Sequence, residues 1–261
     1  MTEASGDQCE AARRARRARR RIVGYARHRT VHLGSSLSVV DALDAVLSRT
    51  EARGDGAGRS PCVLSKGHAV WALYALMAER GHRRYDDATG LPGHPTDDYP
   101  GVDVATGALG HGLSIAAGLA EGFRLSGTER PVYAILGDGE LNEGSVWEAI
   151  MFAAHRHLRR LVVVVDVNGL QQEGTTDEVL NMSPLAPRWG AFGWDVTSID
   201  GHDRHALDSA LAWAENTDRP AVVLARTVKG NGVGFMENSL DWHTGRLDDR
   251  GLELALADLG A

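Results

Sequence analysis

Five short, largely apolar and β-branched runs occur along the chain, namely CVLS, VYAILG, LVVVVD, WDVTSI and AVVLAR. Segments with apolar residues at helical spacing lie between them, including GHAVWALYALMAER, GLSIAAGLAEGFRL and SVWEAIMFAAHRH. Continuous apolar strands that alternate with amphipathic helices are typical of a parallel sheet covered by helices on both faces. The pattern therefore predicts an α/β fold with a doubly wound, mostly parallel sheet.

Three segments lack this periodicity. Residues 81–107 are rich in Gly, Pro, His and Asp, and an aperiodic loop of that length in a compact domain is usually functional or disordered. The polar residues 1–10 are predicted to be flexible. The segment after Gly230 is irregular until LDDRGLELALADL, which has helical spacing. We expect residues 1–261 to form a single domain.

Composition narrows the class of protein. The 261 residues are 24% charged and 43% hydrophobic, which is ordinary for a globular domain of this length. No run approaches the ~20 apolar residues of a membrane span, and the net charge of −7 disfavours a nucleic-acid partner. MTEASGDQCE is unlike a secretory leader, and Cys9 and Cys62 form no disulfide framework. We therefore expect a cytoplasmic protein.

One basic segment departs from the acidic average. From Arg13 to Arg21 the sequence repeats Ala-Arg-Arg, so that arginines cover most of the surface of a predicted helix. One interpretation is a solvated first helix that is anchored by Ile22, Val23 and Tyr25. The other is an anion-binding face.

The candidate chemistry follows two neighbouring strands. Gly137-Asp138-Gly139 closes VYAILG, and Asn168 closes LVVVVDV. Because parallel strands end at one edge of the sheet, Asp138 and Asn168 are expected to meet there, as hard oxygen ligands for magnesium or calcium. The glycines allow the backbone to approach a bulky anion closely. A helix predicted to begin near Asn142 would direct the positive end of its dipole toward that anion. The pattern predicts a site for a magnesium-bound diphosphate; no Walker or dinucleotide motif competes.

These residues belong to a longer likeness. GDGELNEGSVWEAIMFAAHRHLRRLVVVVDVNGLQQEG resembles the thiamine diphosphate motif of transketolases. VHLGSSLS, LSKGHAVWALYAL, GHPTDDYPGVDVATGALGHGLS and VKGNGVGFMENSLDWH resemble, in order, further segments of that family's first domain. The α-subunits of 2-oxoacid dehydrogenases share the GDG part, whereas GHP and LSKGH favour the transketolase branch.

The resemblance implies thiamine diphosphate as cofactor, with magnesium, or calcium or manganese in its place. It implies metal ligation by Asp138, Asn168 and the carbonyl of Leu170. The implied catalytic residues are His32, His68, His94 and His243. The implied cofactor-binding residues are His68, Gly107, Leu109, His111, Gly137, Asp138, Gly139, Glu143, Glu148, Asn168, Leu170, Lys229 and His243.

Some of these positions carry qualifications. Glu143 and Glu148 match carboxylates near the subunit contact, and Lys229 either contacts the cofactor or caps a strand. His111 replaces the Gln of full-length transketolases and is expected to contact the diphosphate differently. Val167 replaces the first Asn of an Asn-Asn pair, whose second Asn is the ligand. The remaining histidines are predicted to be solvated or capping groups: His28, His82, His155, His157, His202 and His205.

The resemblance also implies an incomplete active site. In the family, the glutamate that activates the cofactor lies in a pyrimidine-binding domain of the other subunit, and no residue here matches it. We therefore expect the N-terminal subunit of a two-component transketolase, assembled as an α2β2 heterotetramer with a C-terminal subunit. It would transfer a two-carbon ketol unit from a ketose phosphate to an aldehyde.

Three alternatives stay open at this point. Two keep the cofactor and change the substrate: transfer to a carrier-bound or otherwise specialised acceptor, or a component of a 2-oxoacid decarboxylase. The third is a degenerate scaffold or regulatory subunit without activity. Retention of the metal ligands and of the four histidines disfavours the third alternative.

Overall fold

The computed structural model describes residues 3–51 and 58–260. Within these ranges, five strands form one parallel sheet in the order β1-β2-β3-β5-β4. The strands are β1 Cys62–Leu64, β2 Val132–Gly137, β3 Leu161–Val167, β4 Asp195–Asp200 and β5 Ala221–Arg226. Every predicted apolar run overlaps one of these strands. The register pairs Gly137 with Asp166, so β2 and β3 end side by side.

Helices cover both faces of the sheet, which confirms the predicted doubly wound α/β class. They are α1 Glu3–His28, α2 Leu33–Glu51, α3 Val70–Glu79, α4 Gly112–Leu125, α5 Gly144–His155, α6 Thr176–Leu180, α7 Leu185–Ala191, α8 Arg204–Ala214 and α9 Asp249–Asp258. Helices α1, α2, α3 and α8 pack on one face, and α4, α5 and α7 pack on the other. Within the described ranges, no helix has the length and apolar character to cross a bilayer.

The strands β2 and β3 are almost wholly apolar because each contributes to two cores. In β2, Tyr133 and Ile135 point into the core under α1–α3, while Ala134 and Leu136 point into the core under α4 and α5. All four side chains are completely buried. Strand β3 alternates in the same way, so neither central strand can tolerate a polar face.

The aperiodic segments have varied structures. Residues 81–107 contain a short 3-10 turn, Arg83–Tyr85, and otherwise form bends and turns. A 3-10 turn, Gly139–Asn142, also precedes α5, so that helix begins two residues after the predicted start near Asn142. Residues 3–10 form the first turns of α1, whereas residues 1–2 lie outside the described ranges. The flexibility of residues 1–10 and the single domain over 1–261 stay predictions.

The arginine-rich segment lies in α1, and its apolar positions are buried. Ala15, Ala18 and Ile22 face the core beneath the helix, and Val23 and Tyr25 are buried beside them. The predicted anchoring of this helix by its last apolar residues is therefore confirmed. The three-residue step keeps small alanines against the core, where the helix can approach its neighbours closely.

Four arginines of the run are paired with acidic side chains of adjacent helices. Arg14 forms a two-point ion pair with the buried carboxylate of Asp44, at 2.7 and 2.8 Å. Arg19 lies 2.5 Å from Asp41 of the same helix, α2, and Glu79 of α3 accepts hydrogen bonds from two further arginines of the run. These carboxylates occupy the positions that an external anion would take, so the segment fastens α1 to α2 and α3.

The start of α4 is packed too tightly for any side chain. A Cβ placed on Gly112 would lie 2.6 Å from the Cα of Ser65, at the end of β1. Gly112→Ala is therefore expected to lower the free energy of unfolding by about 1–3 kcal/mol, measured by urea denaturation. Gly118→Ala is the matched control, since nothing lies within 4 Å of that position in the same helix. It should raise stability by about 0.5–1 kcal/mol; similar effects at both glycines would refute the packing argument.

Candidate active site

A cavity of about 400 Å³ opens where the loops leave the carboxyl ends of β2 and β3. This is the edge at which parallel α/β sheets bind their ligands. Most of the site residues predicted from the sequence line it together: His32, His68, His94, Gly107, Leu109, Gly137, Asp138, Gly139, Glu143, Asn168, Leu170 and His243. The sequence did not single out the other lining residues: Ser35, Lys66, Glu140, Asn142, Gln171, Gln172 and Glu173.

Asp138 is the acidic centre of the cavity. Its Oδ1 accepts a hydrogen bond from the backbone N–H of Gly139 at 2.9 Å, and its Oδ2 accepts one from Gly169 at 2.6 Å. The second bond joins the loop after β2 to the loop after β3, as the parallel register predicts. Burial raises the pKa of Asp138 to about 6, although both backbone donors oppose this rise. Among the described residues, no lysine or arginine forms an ion pair with Asp138.

The oxygens around Asp138 fit a hard divalent cation. Asn168 accepts a hydrogen bond from the backbone N–H of Leu170 at 3.1 Å, which orients its amide oxygen. The side chains of Asp138 and Asn168 and the residue Leu170 line the same cavity. In the described ranges, no three His, Cys, Asp or Glu side chains are grouped to hold a metal. A single carboxylate supplemented by amide and carbonyl oxygens is typical of magnesium or calcium rather than zinc.

Four histidines form a cluster that lines the same cavity as these oxygens. The ring centroid of His32 lies 5.2 Å from that of His68, 6.3 Å from His94 and 5.6 Å from His243. Burial lowers the pKa of His32, lowers that of His68 well below its ordinary value and, with Lys229, lowers that of His243 to about 4. These three imidazoles are therefore neutral near pH 7, when each can both donate and accept a hydrogen bond.

Lys229 lies behind the cavity wall and is completely buried. Its Nζ lies 2.7 Å from the carbonyl of Gln171, 3.3 Å from that of Leu170 and 3.0 Å from Nδ1 of His243. Because an ammonium only donates, Nδ1 of His243 accepts, and the imidazole proton lies on Nε2. Lys229 therefore sets the orientation of His243 and supports the loop that carries Leu170. A direct contact between Lys229 and the cofactor stays a prediction.

A buried ion pair supports the floor of the site. Lys66 donates a hydrogen bond to Asp166, and both side chains are almost fully buried. Ser38 donates to the same carboxylate oxygen at 2.6 Å, and Thr227 donates to the other oxygen. Although burial opposes ionisation, Lys66 holds the pKa of Asp166 below its ordinary value. The sequence signal for this pair was a carboxylate closing an otherwise apolar strand, together with the lysine of LSKGH.

Glu140 joins three loops around the cavity. It accepts hydrogen bonds from the hydroxyl of Ser65 and from the backbone N–H groups of Gly110, at 3.0 Å, and Gly137, at 3.2 Å. The segments after β1 and β2 and before α4 are thereby held together by one buried carboxylate. Burial raises the pKa of Glu140, and the three donors oppose this rise.

Three predicted cofactor-binding residues lie outside the cavity lining: the buried Lys229 behind the wall, and His111 and Glu148. His111 is exposed at the start of α4, and Glu148 is exposed on α5. Glu143 and Leu109 are also exposed but do line the cavity, and Leu109 leaves 38% of its surface accessible. Cofactor binding by His111 and Glu148 stays a prediction, and this chain brings neither side chain into the cavity.

His243→Gln is expected to make thermal unfolding less sensitive to acid. Burial and Lys229 lower the pKa of His243 from 6.5 to about 4, so between these values the unfolded chain binds a proton that the folded chain does not. The stability that depends on neutral His243 is present above pH 6.5 and is lost as the pH falls toward 4. Between about pH 7 and about pH 5, the melting temperature should fall less in the variant. Replacing the exposed His155 by Gln is the control; equal falls in all three proteins would contradict the assignment.

Most of the chain matches a known protein family. The profile described as transketolase, thiamine diphosphate binding domain, matches residues 25–261. The chain belongs to the transketolase family. The matched range contains all five strands and every lining residue of the cavity. The family description also confirms thiamine diphosphate as the ligand class of this domain.

Two relatives of similar length are named as transketolase subunits. One is an apulose-4-phosphate transketolase subunit of Phocaeicola vulgatus, which is 37% identical over 226 residues, or 82% of this chain and 80% of that protein. The other is the 6-deoxy-6-sulfo-D-fructose transketolase subunit SqwG of a Clostridium species, 37% identical over 241 residues, or 87% and 88%. Their names confirm the predicted transferase class.

Full-length transketolases share the fold over a part of their length. The human transketolase is 40% identical over 189 residues, covering 69% of this chain and 30% of that protein. The crystal structure of the Campylobacter jejuni transketolase superposes with a TM-score of 0.84 at 28% identity, covering 96% of this chain and 42% of that chain. This chain therefore spans about two fifths of that solved enzyme.

Proposed function

We propose that the chain is the diphosphate-binding subunit of a two-component transketolase that depends on thiamine diphosphate and magnesium. One observation carries the proposal: a buried carboxylate with no cationic partner in the described ranges shares a cavity at the ends of β2 and β3 with three neutral histidines, His32, His68 and His243. A buried carboxylate without a counter-charge is unfavourable, and a metal ion would supply that charge.

The metal and the diphosphate are proposed to bind at the acidic side of the cavity. Asp138, the amide oxygen of Asn168 and the carbonyl of Leu170 would hold magnesium, with calcium or manganese as substitutes. Gly137 and Gly139 flank this carboxylate and line the cavity in which the phosphates would bind. When bound, thiamine diphosphate would supply a stabilised carbanion, and the protein would control geometry and protons.

The histidine cluster is proposed to handle the substrate. A neutral His243, with its proton on Nε2, can donate a hydrogen bond to an oxygen atom in the cavity. His32 and His68 stand within 6 Å of His243 by ring centroids, so several imidazoles can bind the same substrate hydroxyl and carbonyl groups. Neutral imidazoles can also accept and return protons near neutral pH. His94, on the far side of His32, would extend these contacts toward the sugar hydroxyls.

The partner is proposed to be a C-terminal transketolase subunit with a pyrimidine-binding domain, in an α2β2 heterotetramer. The exposed Leu109 and Glu143 at the cavity, and the exposed His111 and Glu148 beside it, would meet that subunit. The two relatives of similar length are themselves named as subunits, which supports this division. The reaction would transfer a two-carbon ketol unit from a ketose phosphate to an aldehyde.

We also propose a cytoplasmic location. Cys9 is exposed and Cys62 is partly buried, and both are free thiols. Free thiols without disulfides are typical of a reducing compartment. The proposed donors are phosphorylated sugars, a class of metabolite found inside cells, which agrees with that location.

A reconstitution assay tests the proposed function. The purified chain is mixed with a purified C-terminal subunit, thiamine diphosphate and magnesium, and ketol transfer from a ketose phosphate to an aldose is followed. Turnover is expected only when both subunits, the cofactor and the metal are present. Full turnover by this chain alone would contradict the two-component proposal. Failure of the assembled, cofactor-loaded complex to transfer a ketol unit would contradict the proposed reaction.

A further inference from the structure

His202 joins two elements that lie behind the proposed active site. It follows β4, and its imidazole is inserted between α2 and the segment that follows β5. Its Nδ1 lies 2.8 Å from Oδ2 of Asp41, and its Nε2 lies 2.9 Å from the backbone nitrogen of Val228. Only 22% of the side chain is exposed. The sequence predicted a solvated or capping histidine; acceptance from the backbone of Val228 fits the capping alternative, and the side chain bridges three segments.

The backbone donor at Nε2 fixes the tautomer of His202, and the side-chain amide of Asn231 also lies 3.1 Å from Nδ1. A backbone N–H is always a donor, so Nε2 accepts from Val228 and carries no proton. The proton of the neutral ring therefore lies on Nδ1 and is donated to Asp41. Arg19 lies 2.5 Å from the same oxygen of Asp41, which keeps that carboxylate ionised and in place. The imidazole has one orientation that satisfies both neighbours.

Val228 directly precedes Lys229, whose ammonium supports the cavity wall. The Lys229 side chain passes closely over the first turn of α2, where a Cβ on Gly34 would lie 2.9 Å from its Cγ. The backbone N–H of Gly230 donates to the carbonyl of Gly34 at 3.1 Å. With so little free space, a displacement of the Val228 backbone would move the ammonium away from Leu170 and His243.

We propose that His202 is a positioning residue of the thiamine diphosphate site. Through its bond to Val228 it holds Lys229 against the carbonyl of Leu170 and against His243, and Asp41 holds His202 in turn. This inference rests on the function proposed above for the cavity. It also connects the arginine-rich helix to the site, since Arg19 fixes the carboxylate that orients the imidazole.

Two conservative replacements separate the two bonds of His202. In His202→Asn, the side-chain amide can replace Nδ1 and donate to Asp41, but it is too short to reach Val228. In His202→Gln, the side-chain oxygen can replace Nε2 and accept from Val228. Calorimetric titration with thiamine diphosphate and magnesium is expected to show a Kd about tenfold higher for the Asn variant and about twofold higher for the Gln variant. The melting temperatures of the ligand-free variants are recorded alongside.

A double-mutant cycle identifies the intermediary. If His202 acts through Lys229, His202→Asn should have no further effect on Kd in a Lys229→Met background. Gly34→Ala displaces Lys229 without touching His202 and should raise Kd to a similar extent, so the test holds even where the Asn variant folds poorly. A rise in Kd that simply follows the loss in melting temperature across both His202 variants would overturn the positioning role.

The outcomes separate this inference from the proposed function. If the wild-type chain binds thiamine diphosphate with magnesium but the Asn variant binds equally well, the positioning role is refuted and the proposed function stands. Additive effects of His202→Asn and Lys229→Met refute the path through Lys229. If the wild-type chain binds no thiamine diphosphate, alone or with its partner subunit, both proposals are refuted.

Discussion

Replacing Asp138 by alanine is expected to weaken the binding of thiamine diphosphate in the presence of magnesium by more than about a hundredfold. Loss of a residue that only supports a metal ligand costs about 10–100-fold in metal affinity, and Asp138 is proposed to be the ligand that carries the charge. The variant also removes the acceptor for two backbone N–H groups, those of Gly139 and Gly169. Calorimetry with and without magnesium measures the effect.

Two further variants control for a general disturbance of the cavity. His32→Ala removes a lining side chain that is not a proposed metal ligand, and it should weaken binding less than Asn168→Ala does. Both should weaken it less than Asp138→Ala. Unchanged binding by Asp138→Ala, or wild-type binding that a chelator leaves unaltered, would rule out the proposed metal site.

Lys66→Met is expected to lower the free energy of unfolding by about 3–5 kcal/mol, because it leaves the completely buried Asp166 without a cationic partner. Ser38 and Thr227 would still donate to that carboxylate, but neutral donors do not replace the lost charge. Urea denaturation of the ligand-free protein measures the change. The cavity should also lose affinity for thiamine diphosphate, since Lys66 forms part of its lining.

We attribute the loss of stability in Lys66→Met to the burial of the Asp166 charge. The loss of any cationic side chain would not be enough. Arg124→Met breaks an exposed ion pair with Glu121 and is expected to leave stability nearly unchanged. Adding Asp166→Asn to Lys66→Met removes the unpaired charge and should recover part of the lost stability. A small effect of Lys66→Met, comparable with that of Arg124→Met, would show that Asp166 does not depend on this partner.

The sequence predicted the sheet because its signal is local and strong. A strand such as Val132–Gly137, buried on both faces, must be apolar at every position. The meeting of Asp138 and Asn168 could also be predicted, since neighbouring parallel strands bring their carboxyl ends together. The four histidines of the cavity came from resemblance to a family, because single histidines between other elements carry no periodic pattern.

The sequence could not predict the contacts between residues that are far apart along the chain. Lys66 and Asp166 are 100 positions apart, and their pairing depends on how the loop after β1 lies over β3. His202 and Asp41 are separated by 161 positions and meet only because α2 packs beside the turn after β4. Both pairs are invisible to local propensity. The orientation of Lys229 likewise follows from close packing against Gly34, which no sequence pattern encodes.

The role of the arginine run also could not be predicted from the sequence of its own helix. Its three-residue step indicated a helix covered with positive charge, which left a solvated face and an anion-binding face as alternatives. The choice depended on Asp44 and Glu79, which belong to other helices and which place carboxylates opposite the guanidinium groups. Charge patterns along one segment cannot reveal whether the neighbouring elements carry the opposite charge.

Crystals of the chain grown with thiamine diphosphate and manganese would test the proposed site most directly, because anomalous scattering locates the metal. We predict one anomalous peak bonded to a carboxylate oxygen of Asp138, the amide oxygen of Asn168 and the carbonyl oxygen of Leu170, with the diphosphate beside Gly139. A cofactor bound elsewhere, or a bound cofactor without metal at these three oxygens, would contradict the assignment of this cavity.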